Sequence, residues 1–514
     1  MTNTPEHNPF RRPLPGKPDL DKQKKLAKAL MRDYCGGEAE AVACVVALHP
    51  KPPAPAEFKL SDAQLVVART YGFASWPKLK RKIDGLTKTP ADLFIDAVRS
   101  GDTDAVRGLI AKHPDLKAEI NDPRFDFNQT AVHMARENLD LLDLLLSLGA
   151  DINARSEWEY GGFGILDTVA PDKAEPLIAR GARIDVWAAA HLGRLEELKA
   201  LIAADSSLVN AKGGDGKRPL HFARTVEIAG FLLDHGAEID AIDDDHGSTP
   251  VQYLIKDRPE ICRFLIGRGA RTDLLLAVAL GDVDLVRRCL EEDPASIGMR
   301  VNQDWFPMID TAEGGGHIYQ WTLGFYLSAF EIARRFGHRE VLDLLLERAD
   351  PLERMIDALW AGDLATADAL LGEHPDVLAS AGDDKLRVVS DAGRHNDTDT
   401  VREMLARGFP VTARAQHGAM PLHWASFHGN PEMLNTVLGH KPPLDAVDND
   451  FGGTAMGWAF HGTFGSWPGT STGRHAECME ILLAAGVPCP EDAFPAGHDE
   501  VDRVLRAHFF GSGV

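Results

Sequence analysis

Apolar residues along this chain come in short helical bursts, and the bursts are separated by glycines that recur in register. The stretch 420–438, MPLHWASFHGNPEMLNTVL, shows the unit. It reads as one helix, a tight turn at Gly429, and a second helix carrying Met433, Leu434, Val437 and Leu438. Another form of the unit occurs four times, as LFIDAVRSGDTDAVRGLIAKHPDL (93–116), VWAAAHLGRLEELKALIAADSSL (186–208), LLLAVALGDVDLVRRCLEEDPASI (274–297) and MIDALWAGDLATADALLGEHPDVL (355–378). Each has a turn glycine: Gly101, Gly193, Gly281 and Gly362. Four residues before each glycine stands Ala97, Ala189, Ala277 or Ala358, and nine after it Ile110, Ile202, Leu290 or Leu371. Pro114, Pro294 and Pro375 follow in three of the four. Small residues let antiparallel helices approach, glycine permits the turn, and proline ends the second helix. The pattern predicts an all-α fold of helix-turn-helix units whose apolar faces are covered by their neighbours.

The N-terminal part differs. Residues 1–19 are rich in proline (Pro5, Pro9, Pro13, Pro15, Pro18) and poor in aliphatics, which predicts a flexible arm. Residues 20–48 read as two helices broken at Gly36-Gly37, and KPPAPAEF (51–58) reads as a linker. A helical hairpin follows in LSDAQLVVARTYGFASWPKLKRKIDGL, with Ser61 as expected N-cap, Gly72 as helix stop and Pro77 in the first turn of the second helix. Residues 20–89 are therefore expected to form a helical cap over an open end of the array. A DNA-reading helix-turn-helix is the alternative, disfavoured because no dimer signature or base-reading set is evident.

Between the four modules lie TAVHMA (130–135), RPLHFA (218–223), TPVQYL (249–254), MPLHWA (420–425) and TAMGWA (454–459). Second helices end in LLLSLGADIN (144–153), LIARGARID (177–185), LLDHGAEID (232–240), LIGRGARTD (265–273) and LLAAGVPCP (482–490). These segments resemble the ankyrin repeat, whose pattern T-P-L-H-x-A opens a short helix and whose second helix stops at G-A. The N-terminal hairpin is similar to one that precedes the repeats in bacterial ankyrin-repeat proteins. The resemblance implies a solenoid, with repeats over 90–300 and repeats carrying two insertions over 301–510. At a period of about 33 residues this is roughly 12 or 13 repeats. It also implies that His133, His221 and His423 make a structural hydrogen bond at the helix start. The pattern is degraded where Met420 and Arg218 replace Thr, where Gln252 and Gly457 replace His, and over 382–400.

Composition narrows the function classes. The formal charge of −22 argues against nucleic-acid or anionic-membrane partners. Six scattered cysteines without a C-x-x-C pair suit reduced thiols, and neither a secretory signal nor an apolar run of membrane-spanning length is seen. A cytoplasmic protein is expected.

Candidate chemistry gathers where the rhythm breaks, in 302–333 and 448–479, both rich in Gly, Trp and His. Insertions in solenoids map to loops, often on a binding face, and aromatic side chains are natural anchors. Trp305, Tyr319, Trp321, Trp424, Trp458 and Trp467 are the candidate ligand contacts. Trp424 and Trp458 share one repeat position, and core packing is the equally simple reading for them. If the chain is an enzyme, Glu313, His317, His428 and His461 supply the acid–base groups, and Asp310 and His395 are further suitable groups. No nucleophile motif, nucleotide fingerprint or zinc spacing is present, so no cofactor and no metal are expected. His423 and His428 stand about 140° apart on a helix, off a common face. The leading expectation is a scaffold that binds another protein through its concave face. The alternative is an enzyme or small-molecule binder with a pocket between 302–327 and 460–475.

Overall fold

All four glycines of the register adopt left-handed backbone, with φ of 69°, 80°, 68° and 72° at Gly101, Gly193, Gly281 and Gly362. In the computed structural model, which describes residues 8–307, 316–465, 473–490 and 493–511, each glycine turns the chain between two antiparallel helices. The pairs are Pro90–Arg99 with Thr103–Lys112, Val186–Leu192 with Leu195–Ala204, Leu274–Leu280 with Val283–Glu292, and Pro351–Trp360 with Leu364–Glu373. The residue after the glycine caps the second helix. Asp102, Asp282 and Asp363 accept the backbone N–H of Ala105, Leu285 and Thr366 at 2.9, 3.0 and 3.1 Å, a contribution of about 1 kcal/mol each. Arg194 takes that place in the remaining pair and makes no such bond. Ala189 and Ala277 are fully buried, as close helix approach requires, whereas Leu371 is half-buried.

The chain divides into two compact units. One is Lys88–Ala349; the other joins Met1–Thr87 to Asp350–Val514. The sequence pattern suggests divisions after 89 and 300, but the second division falls at 349. The helix pair Ala329–Phe336 and Arg339–Arg348 packs back onto Leu274–Leu280 and Val283–Glu292 and so belongs with what precedes it. Its start was not legible, because Ser328 and Glu331 stand where other repeats have Thr and His. Ser328 caps the helix through Glu331, its N–H donating to Oε2 at 2.8 Å.

Within each unit the helices stack in two rows. In the discontinuous unit Val388–Arg394, Pro421–Phe427 and Ala455–Phe464 form one row, and Thr398–Ala406, Pro431–Gly439 and His475–Ala485 the other. The loosely matching segment 382–400 is thus an ordinary member of the stack. No strand forms among the described residues; two isolated bridges, Arg300 to Ser328 and Val447 to Thr454, close hairpins. No described helix is long and apolar enough to cross a membrane, and all six cysteines are free.

The N-terminal segment forms Leu20–Cys35, Ala39–Leu48, Leu60–Thr70 and Trp76–Thr87. The break lies at Gly36-Gly37 as expected, with Gly37 left-handed at φ 77°. The third helix starts two residues earlier than the Ser61 cap implies, because Asp62 reaches back to the Lys59 N–H at 2.9 Å. Residues 8–19, expected to be free, lie along this helix. The Arg12 N–H donates to Thr70 O at 2.9 Å, and Phe10 and Leu14 rest on the core.

These helices pack on the last one, Asp499–Phe510. Phe58 is fully buried in the core that also holds Val501, Val504 and Leu505. The Arg506 guanidinium donates to the backbone carbonyls of Ala56 and Phe58, the latter at 2.6 Å, and Lys59 pairs with Asp499. Arg506→Ala leaves two carbonyls without their charged donor, and such bonds are worth about 1.5–3 kcal/mol each in general. We expect a clear fall in the denaturation midpoint and faster proteolytic cleavage within 49–59. An unchanged midpoint sinks the idea that this contact holds the two segments together.

Candidate functional site

The repeat histidines bond the helix starts of three modules. At each of Thr130, Arg218 and Met420 the backbone N–H donates to Nδ1 of the histidine three residues on, at 3.4, 3.1 and 3.1 Å. Nδ1 therefore accepts, and Nε2–H donates onward to the carbonyls of Phe163, Ser248 and Ala446 at 3.0, 3.3 and 3.2 Å. Each imidazole ties its own helix start to the next module. In TPVQYL the Gln252 Oε1 accepts the Thr249 N–H at 2.9 Å in the same way. Burial lowers the pKa of all three histidines, and that of His221 falls to about 3.

In the discontinuous unit four expected residues meet. The Trp424 and Trp458 rings stand perpendicular with centroids 4.8 Å apart, and Phe427 packs on both. His428 stacks on Trp424 at 6.3 Å, and His461 stacks on Phe427 at 5.8 Å. Trp424 and Trp458 are 6% and 8% exposed, so their rings fill the space between consecutive modules. His428 donates to Arg394 O at 2.8 Å, and burial lowers its pKa; it is tied to structure, whereas His461 is exposed. The two indoles differ in one respect. Trp458 Nε1 donates to Asp448 at 2.8 Å, while Trp424 Nε1 is buried without a partner. Asp448 stands six residues before Thr454; the matching place before Met420 is Arg414, which offers no acceptor. Trp467 lies outside the described residues.

The other expected residues belong to the unit Lys88–Ala349. His317 lies against Phe306 and Tyr319 with centroids 4.6 and 4.8 Å away, and burial takes its pKa down to about 4. The fully buried Tyr319 donates its hydroxyl to Asp273 at 2.7 Å; burial, reinforced by Asp273, raises its pKa. Trp305 is half-buried beside Gly298. Trp321 is 55% exposed and meets Phe325, which puts it outside that cluster. Glu313 and Asp310 lie outside the described residues. The stretches 302–327 and 460–475 thus fall in different units. Two open concavities, of about 530 Å³ beside Asp350 and Lys385 and about 570 Å³ beside Asp102 and Asp143, are lined by none of the expected Trp and His residues.

Sequence reasoning missed a polar cluster where the hairpins 213–218 and 241–249 meet. Asp243 is buried and accepts the N–H groups of His246 and Ser248 and the Tyr253 hydroxyl, at 2.8, 2.6 and 2.9 Å. Burial raises its pKa in spite of those bonds. Lys217 reaches Asp215 at 3.1 Å and lies over the rings of Phe222, Phe163 and Tyr253 at 4.8, 5.2 and 5.2 Å. Asp215, Asp245 and His246 each offer a ligand atom, all within 4.8 Å of one another. Gly316 and Ile318 are held here as well, through His246 Nδ1 to Gly316 O at 2.7 Å and Ile318 N–H to Ser248 Oγ at 3.2 Å. The run Asp243-Asp244-Asp245-His246 was the available signal, but its partner Asp215 comes from another module.

Comparison with known proteins accords with this geometry. The family described as ankyrin repeats (3 copies) matches residues 186–275, and the single ankyrin repeat matches 127–157. The chain carries ankyrin repeats. It is also 29% identical over 154 residues to the mouse (Mus musculus) ankyrin repeat and SAM domain-containing protein 6. That similarity covers 27% of this chain and 16% of the mouse protein. Ankyrin repeats are in general protein-interaction modules.

The ankyrin histidines carry a pH dependence whose sign follows from burial. Their folded pKa values lie below the ordinary 6.5. As the pH falls, the unfolded chain takes up protons that the folded chain refuses. Stability is present above about 6.5 and is lost as the pH drops toward 3. His221→Gln keeps the helix-start acceptor, as Gln252 shows. We expect near-native melting at pH 7 and a flatter decline between pH 6.5 and 4. An acid limb as steep as that of the unsubstituted chain refutes the assignment to His221.

Proposed function

We propose that this chain is a protein-binding scaffold that engages its partner through the tips of its hairpins and the adjoining helix faces. The supporting observation is a register of exposed apolar side chains. Large hydrophobic residues are normally hidden, yet Phe127, Ile242, Val447 and Phe451 are 58%, 45%, 44% and 72% exposed. All four lie in hairpins that open a repeat, at two recurrent places. Ile242 and Val447 directly precede the turn aspartates Asp243 and Asp448. Phe127 and Phe451 stand three residues before Thr130 and Thr454. Residues that recur at one register position and gain nothing from the core suit contact with another molecule.

Phe127 heads a small aromatic group with Trp158 and Tyr160, with centroids 5.2 Å apart from Phe127 to Trp158 and 5.7 Å from Trp158 to Tyr160. Glu157 and Glu159 are exposed beside it. With a chain charge of −22, a partner with a basic contact face is favoured in both encounter rate and register.

The test uses the immobilised full chain and a variant with Phe127, Ile242, Val447 and Phe451 all changed to Ser, each exposed to lysate of the source cell. Proteins captured by the unsubstituted chain are expected to fall about tenfold on the variant, while its melting temperature stays within a few degrees because no core side chain is touched. Equal capture by both proteins ends the proposal.

A further inference from the structure

We propose that Asp215, Asp245 and the Nε2 atom of His246 form a binding site for a divalent transition-metal ion of the zinc type. The three ligand atoms lie within 4.8 Å of one another and come from two adjacent hairpins. The hairpins are locked in register by the backbone, since the N–H groups of Asp244 and Asp245 both donate to Asp215 O at 2.9 and 3.3 Å. Asp215 itself sits in left-handed backbone at φ 59°.

The histidine is set up as a ligand. Its Nδ1 lies 2.7 Å from Gly316 O. A carbonyl can only accept, so Nδ1 carries the proton, and Nε2 of the neutral ring presents its lone pair. That lone pair faces Asp245 Oδ2 at 3.5 Å. A metal ion between these two atoms would take both as ligands. Bonds of about 2.1 Å to a tetrahedral ion place neighbouring ligands about 3.4 Å apart. Histidines that bind metals commonly donate their other ring N–H to a backbone carbonyl, which fixes the tautomer and the ring orientation. Drawing the most distant pair in by at most about 1.4 Å brings all three atoms to that spacing, with water completing the shell.

Both carboxylates are shielded from solvent. Asp245 is 6% exposed, and the side chain of Asp215 is 13% exposed. Lys217 brings one ammonium to Asp215. The donor set, imidazole with two carboxylates, suits zinc or cobalt better than a hard ion such as magnesium, which keeps most of its water. A bound ion fixes the His246 ring and so the Gly316 carbonyl that it holds.

The experiment uses the full chain, free of any histidine tag and stripped with a chelator. Cobalt is added as a spectroscopic probe and zinc is titrated by calorimetry. One ion per chain is expected, with visible cobalt absorption bands, and Asp245→Asn and His246→Gln are each expected to weaken binding at least tenfold. His246→Gln leaves a side-chain amide able to donate to Gly316 O, so it separates loss of the ligand from loss of the fold. Zinc is also expected to raise the melting temperature of the unsubstituted chain and not that of His246→Gln. No binding overturns the proposal, and so does equal affinity in the chain and both variants, which would place the ion on other histidines or thiols.

Discussion

The imidazole bridge between neighbouring modules is the interaction on which the array depends. A two-helix unit cannot bury its apolar faces alone, so its stability resides in its junctions. At those junctions apolar packing gives energy without direction. The histidines add direction: one ring nitrogen accepts the N–H that starts a helix, and the other donates to a carbonyl of a neighbour. His191, His338 and His475 extend the scheme by donating to Val169 O, Ala279 O and Phe427 O at 2.8, 3.0 and 2.8 Å. Each such bond satisfies a buried carbonyl that would otherwise cost about 1–3 kcal/mol.

The sequence was informative wherever one residue type answers one local demand. Glycine at φ near 70° and histidine three residues after the helix-start residue are local demands, and these positions were read correctly; the aspartate caps answer a local demand too, but went unread. It was uninformative where another residue meets the same demand. Ser328 with Glu331 makes a capping box in place of Thr with His, and so the module that closes the first unit passed as part of an insertion. Long-range pairing was not legible at all. Nothing in Arg506 or in KPPAPAEF announces that the guanidinium will seat on the carbonyls of Ala56 and Phe58. The same holds for the Asp215 and Asp245 pairing, since each looks like an ordinary turn aspartate until two hairpins are laid side by side.

One register position shows how a repeat can be altered without loss of fold. The residue six before the helix-opening Thr is Asp243 in one module, Asp448 in another and Arg414 in a third. Where it is aspartate, it holds its own hairpin and also receives the Tyr253 hydroxyl or the Trp458 indole. For Asp448, burial, which raises the pKa, is outweighed by hydrogen bonds from Trp458, Phe451 and Gly453, so its carboxyl stays below the usual range. Where it is arginine, the guanidinium reaches the carbonyls of Gly418 and Val447 at 2.6 and 2.9 Å and steadies the hairpin from the donor side. The cost is borne by Trp424, whose buried N–H is left over.

The unit built from both chain ends has a consequence for biosynthesis. Residues up to Thr87 leave the ribosome long before Asp350–Val514 exists, so Phe58 and its neighbours stay uncovered while the intervening unit is made. That unit is contiguous in sequence and is free to fold first. The nascent N-terminal helices are thus a natural client for a chaperone, and a premature stop between Ala349 and Asp499 deprives them of the helix that covers Phe58.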